Sequence, residues 1–108
     1  MLIRVTQKMI DDGRKCDTRS CALAIAIQAV VKPEYTVEVG ILLAWIAPFG
    51  KRCCSDSIEN FLLPQVARNF RFAFDNGRAV FPFSFELPIP EFYLRDSNLQ
   101  TAATNGGL

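Results

Sequence analysis

The chain contains no histidine. A Ser-His-Asp or Cys-His arrangement, a histidine-rich metal site and imidazole proton transfer are therefore excluded within it. A surplus of either charge is also lacking, since 12 Lys and Arg stand against 11 Asp and Glu, a formal net charge of +1. Non-specific nucleic-acid binding draws its affinity from a large basic excess, so no strong nucleic-acid signal is present. Long hydrophobic runs are missing as well. The longest apolar stretches, 21–31 and 39–50, are interrupted by Gln28 and Pro48. Both fall short of the roughly 18–20 residues that span a bilayer. The opening Met1-Leu2-Ile3-Arg4-Val5 reaches a charge at once and has no apolar signal-peptide core. A soluble cytoplasmic protein, free of membrane, is expected, with its four cysteines as reduced thiols.

What is present is apolar surface. Half of the 108 residues are hydrophobic and nine are phenylalanine, generous for a single small domain with one core. Part of that surface is expected at a subunit interface, so a homo-oligomer is anticipated. Leu2–Val5 reads as a strand, and Thr6 as the N-cap of a short helix, Gln7–Asp12, that Gly13 stops in the C′ position. After a polar loop, Ser20 or Thr18 can cap a second helix over Cys21–Val31. It is apolar on nearly every face and so belongs at the centre of the fold.

The β-branched run Thr36–Ile46 predicts one strand, the Pro48-Phe49-Gly50 triplet a turn, and Ser57–Leu62 a second strand pairing with the first. Pro64 starts a third helix to Asp75, whose buried stripe is expected to be Val66, Phe70 and Phe74 with Leu63, Ala67 and Ala73. Asn76-Gly77 supplies a left-handed cap. Phe81, Phe83, Phe85, Leu87 and Ile89 then alternate with polar residues and prolines, predicting an edge strand with one apolar face. The order β-α-α-β-β-α-β implies an α+β domain over residues 1–95: a small, mostly antiparallel sheet with helices packed on one face. Residues 96–108 carry too few apolar groups to be ordered alone and are expected to form a flexible tail.

Five motifs together resemble a group of small proteins encoded by phages and prophage-bearing bacteria. They are Val5-Thr6-x-x-x-Ile10-x-x-Gly13, Ser20-Cys21-Ala22-Leu23-Ala24, Leu62-Leu63-Pro64, Phe74-Asp75-x-Gly77 and Pro82-Phe83-x-Phe85-x-Leu87. The resemblance spans about residues 2–87. It implies a setting and no mechanism: a compact phage accessory protein that binds something of the host.

Two regions are candidate sites. The loop Arg14, Lys15, Thr18, Arg19 and Ser20 leads into the apolar helix, and free N–H groups at a helix start attract anions. A phosphorylated small molecule is the expected ligand there. No glycine-rich phosphate loop accompanies it, and Asp17 opposes an anion. The second region is Arg68, Arg71 and Phe72, which share the polar side of the third helix. An exposed aromatic flanked by arginines has the composition of a recognition surface.

Catalysis has little to work with. Cys21, beside Arg19 at a helix start, invites a lowered thiol pKa, but no histidine base accompanies it. Asp11, Asp12, Asp56, Glu59 and Glu86 form no paired arrangement. Cys16, Cys21, Cys53 and Cys54 lack the two-knuckle spacing of a zinc site. Neither metal nor cofactor is expected, and no enzymatic activity. The leading expectation is a binding protein that sequesters a nucleotide signal to counter host defence. Docking onto a host or phage protein, or a structural role in the virion, are the alternatives.

Overall fold

A computed structural model describes residues 1–48 and 59–95. The described chain is an α+β fold that runs β1 (Leu2–Val5), α1 (Gln7–Asp12), α2 (Ala22–Val30), β2 (Tyr35–Val39), β3 (Leu43–Pro48), β4 (Glu59–Leu62), α3 (Gln65–Asp75) and β5 (Phe83–Glu86). A single 3-10 turn at Glu91–Tyr93 follows. The expected tail 96–108, the Phe49-Gly50 part of the expected turn, and Cys53 and Cys54 lie outside the described residues.

The single sheet foreseen from the strand pattern is two sheets. β1 pairs antiparallel with β5, and β2, β3 and β4 form an antiparallel meander. The run Thr36–Ile46 is a hairpin, not one strand. It folds back at Gly40, whose N–H donates to the Leu43 carbonyl at 2.8 Å. A Cβ on Gly40 would lie 2.8 Å from Cη2 of Trp45, so only glycine leaves room for the indole. The turn also changes which parity points inward. Val37 and Val39 are buried on β2, and their partners Ile46 and Ala44 are buried on β3, with Phe61 of β4 opposite Ala44.

α2 lies at the centre, as its all-round apolar sequence requires, and touches α1, β1 and β2. Ala22, Leu23, Ala24, Ala26 and Ile27 are buried. Its one polar interruption ties the helix to a sheet edge: the Gln28 amide donates to the Tyr35 carbonyl and accepts from the Val37 N–H, each at 3.1 Å. The helix N-cap is Cys21, with no side-chain cap bond, and not Ser20 or Thr18. Gly13 also differs from expectation. Its backbone is extended (φ −71°), not left-handed. A Cβ there would stand 2.8 Å from the Ala22 nitrogen and 3.0 Å from Cζ of Phe74. Glycine is needed for close approach of α1, α2 and α3.

Thr6 caps α1 as expected, accepting the Met9 N–H. Gly77 ends α3 with φ +71°, and Arg78 N–H to Ala73 O with Gly77 N–H to Phe74 O make a Schellman closure. The expected apolar stripe of α3 holds at Leu63, Ala67, Phe70 and Phe74 and fails at Val66, while Arg71 joins it. Ala67, Phe70, Arg71 and Phe74 are buried, whereas Val66 is 50% exposed. β5 is shorter than its alternating pattern: Phe85, Leu87 and Ile89 are buried, but Phe81 is 73% exposed and precedes the strand. Phe70 stacks on Phe83 at 4.8 Å and on Phe74 at 5.8 Å, fastening α3 to the β1–β5 sheet.

Phe70→Ala removes that shared ring and opens a cavity, and is expected to lower unfolding free energy by about 3–5 kcal/mol. Urea denaturation followed by circular dichroism reads the loss as a lower midpoint with an unchanged slope.

Candidate functional site: a concavity beside a buried arginine

Arg71 was expected on an exposed recognition surface, and the structure corrects this. Its side chain is buried, at 5% exposure. A guanidinium out of water persists only with partners, and Arg71 has four. Nε donates to Asp75 Oδ2 at 2.7 Å, one helical turn on. Nη1 donates to the Val39 carbonyl, to the Gly40 carbonyl at 3.4 Å and towards Cys21 Sγ at 3.5 Å. The second carboxylate oxygen of Asp75 accepts the Cys16 N–H at 2.8 Å. Cys16 has a positive φ of 57°, rare for a residue with a side chain. One ion pair thus joins α3, the end of β2, the start of α2 and the loop before it.

The outer side of this hub is open. Ile41, Arg68, Arg71, Phe72, Asp75 and Asn76 line a concavity of about 220 Å³. Phe72 is 60% exposed and Ile41, at the tip of the β2–β3 hairpin, 79%. Arg78 lies over the Phe72 ring at 5.5 Å from its centre, a cation–π contact. Arg68 has its Nε buried without a hydrogen-bond partner among the described residues. Leu42 and Leu62 are exposed nearby, linked through the Leu63 N–H, which donates to the Leu42 carbonyl. Of the expected surface group, Arg68 and Phe72 meet at the concavity rim while Arg71 forms part of its lining. Ile41, Asp75 and Asn76 were not anticipated. The Arg71–Asp75 spacing of i to i+4 is the sequence signal by which Asp75 could have been found.

The loop expected to hold an anion is closed on itself. The Asp17 carboxylate accepts the N–H groups of Arg19 and Ser20 at 2.9 and 3.0 Å, which holds its own pKa below the ordinary value. Arg19 pairs with Glu38 at 3.2 Å. The Ser20 and Thr18 carbonyls accept the Arg14 and Val39 N–H groups. Arg14, Lys15 and Thr18 are exposed. A carboxylate of the chain itself thus occupies two of the loop's backbone donors, those of Arg19 and Ser20.

Cys21 does not have the lowered thiol pKa its position suggested. Burial raises it, outweighing the N–H groups of Ala24 and Leu23 and the Arg71 charge. Cys16 is exposed. Among the described residues no group of three metal-ligating side chains occurs, and no helix is long and apolar enough to cross a membrane. A second, shallower groove of about 400 Å³ runs along Arg4–Gln7 and Pro82–Ser84, with Arg4 as its one charge. Comparison with protein-family models, curated proteins and solved structures finds no match to the chain.

Arg71→Ala strands Asp75 and two carbonyls and is expected to cost about 3–5 kcal/mol. Arg19→Ala removes an outer ion pair and is expected to cost less than about 1 kcal/mol. Chemical denaturation of the two variants side by side checks the contrast.

Thiol labelling provides a second check. With its pKa raised above the ordinary value of 9.0, Cys21 stays a neutral thiol through neutral pH, and becomes a thiolate only as pH rises past that value. Iodoacetamide at pH 8, with the sites mapped by peptide mass spectrometry, is expected to modify Cys16 in the folded protein and Cys21 only after denaturant is added.

Proposed function

We propose that the chain is a non-enzymatic binding protein that docks onto a protein partner through the face formed by Ile41, Arg68 and Phe72. One observation carries this reading: a large aromatic ring stands exposed on a rigid helix, beside a concavity with an aliphatic wall. Interface anchors have this form, because an aromatic side chain offers much contact area for little conformational entropy. The hub beneath it supports the same reading, since Arg71 fixes the hairpin tip against α3 and pre-organises the two walls. The closed Asp17 loop favours docking over capture of a phosphorylated small molecule. The buried, neutral Cys21 offers no nucleophile. In the phage setting that the resemblance implies, the partner is a host or phage protein.

A photo-crosslinking amino acid placed at position 72 or 41, with position 8 on α1 as control, tests this in cells. The expected result is one discrete crosslinked polypeptide from positions 72 and 41 and none from position 8. Equal labelling from all three positions, or a nucleotide retained by the purified protein in native mass spectrometry, would overturn it.

A further inference from the structure

The walls of the concavity are apolar, but the charge around it is one-sided. Its single carboxylate, Asp75, is already engaged by the Arg71 guanidinium and the Cys16 N–H. Arg68 on the rim has no ion-pair partner among the described residues, nor has Arg78 over the Phe72 ring. Lys15 adds a third cation at the Asn76-Gly77 end, its Nζ 3.1 Å from where a Cβ on Gly77 would stand. The four hydrogen bonds of Arg71 use only Nε and Nη1. The buried Nε of Arg68 has no acceptor within the described chain. The Nη groups of Arg68 are not buried with it and make no hydrogen bond among the described residues, so a partner's carboxylate reaches this guanidinium through its outer nitrogens.

We infer that this face takes an acidic peptide segment bearing one large apolar side chain, with the apolar group between Ile41 and Phe72 and the flanking carboxylates on Arg68 and Arg78. The inference rests on the docking role proposed above and adds the chemistry of the partner. Size agrees with it, because a concavity of about 220 Å³ receives one large side chain. A second copy of the chain fits less well: in a two-fold contact centred here, Arg68 and Arg78 would face their own equivalents. A nucleic acid fits less well too. Arg78 covers one face of the Phe72 ring, and the rim continues into Ile41 and Leu42 instead of a basic groove.

The test selects short random peptides displayed on the surface of cells against the purified full chain. Enriched sequences are then synthesised with a fluorescent label and titrated by anisotropy. Asp or Glu flanking a single Leu, Ile, Met, Phe or Trp is expected. Replacing the acidic residues by their amides, or making Arg68→Glu in the protein, is expected to weaken binding roughly tenfold or more. Raising salt from about 0.05 to 0.5 M is expected to weaken it further. Circular dichroism and thermal midpoints confirm that each variant is folded.

Peptides that enrich without acidic residues, yet lose binding to Phe72→Ala, would overturn the charge inference and leave the docking face standing. Failure of any peptide to enrich, or binding indifferent to both Phe72→Ala and Ile41→Ser, would overturn both. Tighter binding of an oligothymidylate, or self-association abolished by Phe72→Ala, would replace the acidic peptide by a nucleic acid or a second copy.

Discussion

The Arg71–Asp75 pair is the constraint on which the neighbouring elements depend. A charged guanidinium is out of water at the junction of α3, the β2–β3 hairpin and the start of α2, and it bonds to atoms of all three. Isolated ion pairs of this kind are often no more stabilising than a hydrophobic replacement would be. Their geometric consequence is larger, because each partner must sit within hydrogen-bond reach. The Val39 and Gly40 carbonyls stand at the end of β2, and Arg71 donates to both. Asp75 in turn holds the Cys16 N–H, and with it the turn of the Arg14–Ser20 loop.

Burying an arginine on α3 sets the rotation of that helix. Once Ala67, Phe70, Arg71 and Phe74 face inward, Val66 and Phe72 must face outward. The exposed ring and the concavity beside it are therefore products of the same contact that joins the two sheets' neighbourhoods. The Gly40 turn completes the arrangement. It lifts Ile41 to the tip of the hairpin, opposite Phe72, and Arg68 stands at the rim with no counter-charge among the described residues. A rigid base, an apolar wall and an unneutralised rim are what recognition of an acidic, apolar-anchored segment asks for.

The Arg14–Ser20 loop shows how a composition suited to one task can serve another. Its cations and hydroxyls sit where a phosphate would be welcomed. Yet the loop contains its own anion, and Asp17 takes the two backbone N–H groups at close range. A carboxylate tethered two residues away competes at a far higher effective concentration than a free ligand. In the fold the loop is held by its own carboxylate and presents the Thr18 carbonyl to β2.

Local patterns determined much of this protein. The α+β class, the central position of α2, the Thr6 cap, the left-handed Gly77 and the inward row Phe85, Leu87 and Ile89 all follow from short-range periodicity and turn chemistry. Such rules need no knowledge of distant residues. The sequence was silent where both alternatives satisfied it locally. Leu43 and Trp45 are as apolar as Ala44 and Ile46, so either parity of that run could face inward. The indole packed against Gly40 decides for the even one and for a hairpin. Val66 and Arg71 are likewise separated only by what lies across from α3. Two strand-end carbonyls, brought there by the fold from more than thirty positions away, make the arginine the buried one. The candidate site was half legible for the same reason: Arg68 and Phe72 belong to one helix, while Ile41 reaches them only through tertiary contact.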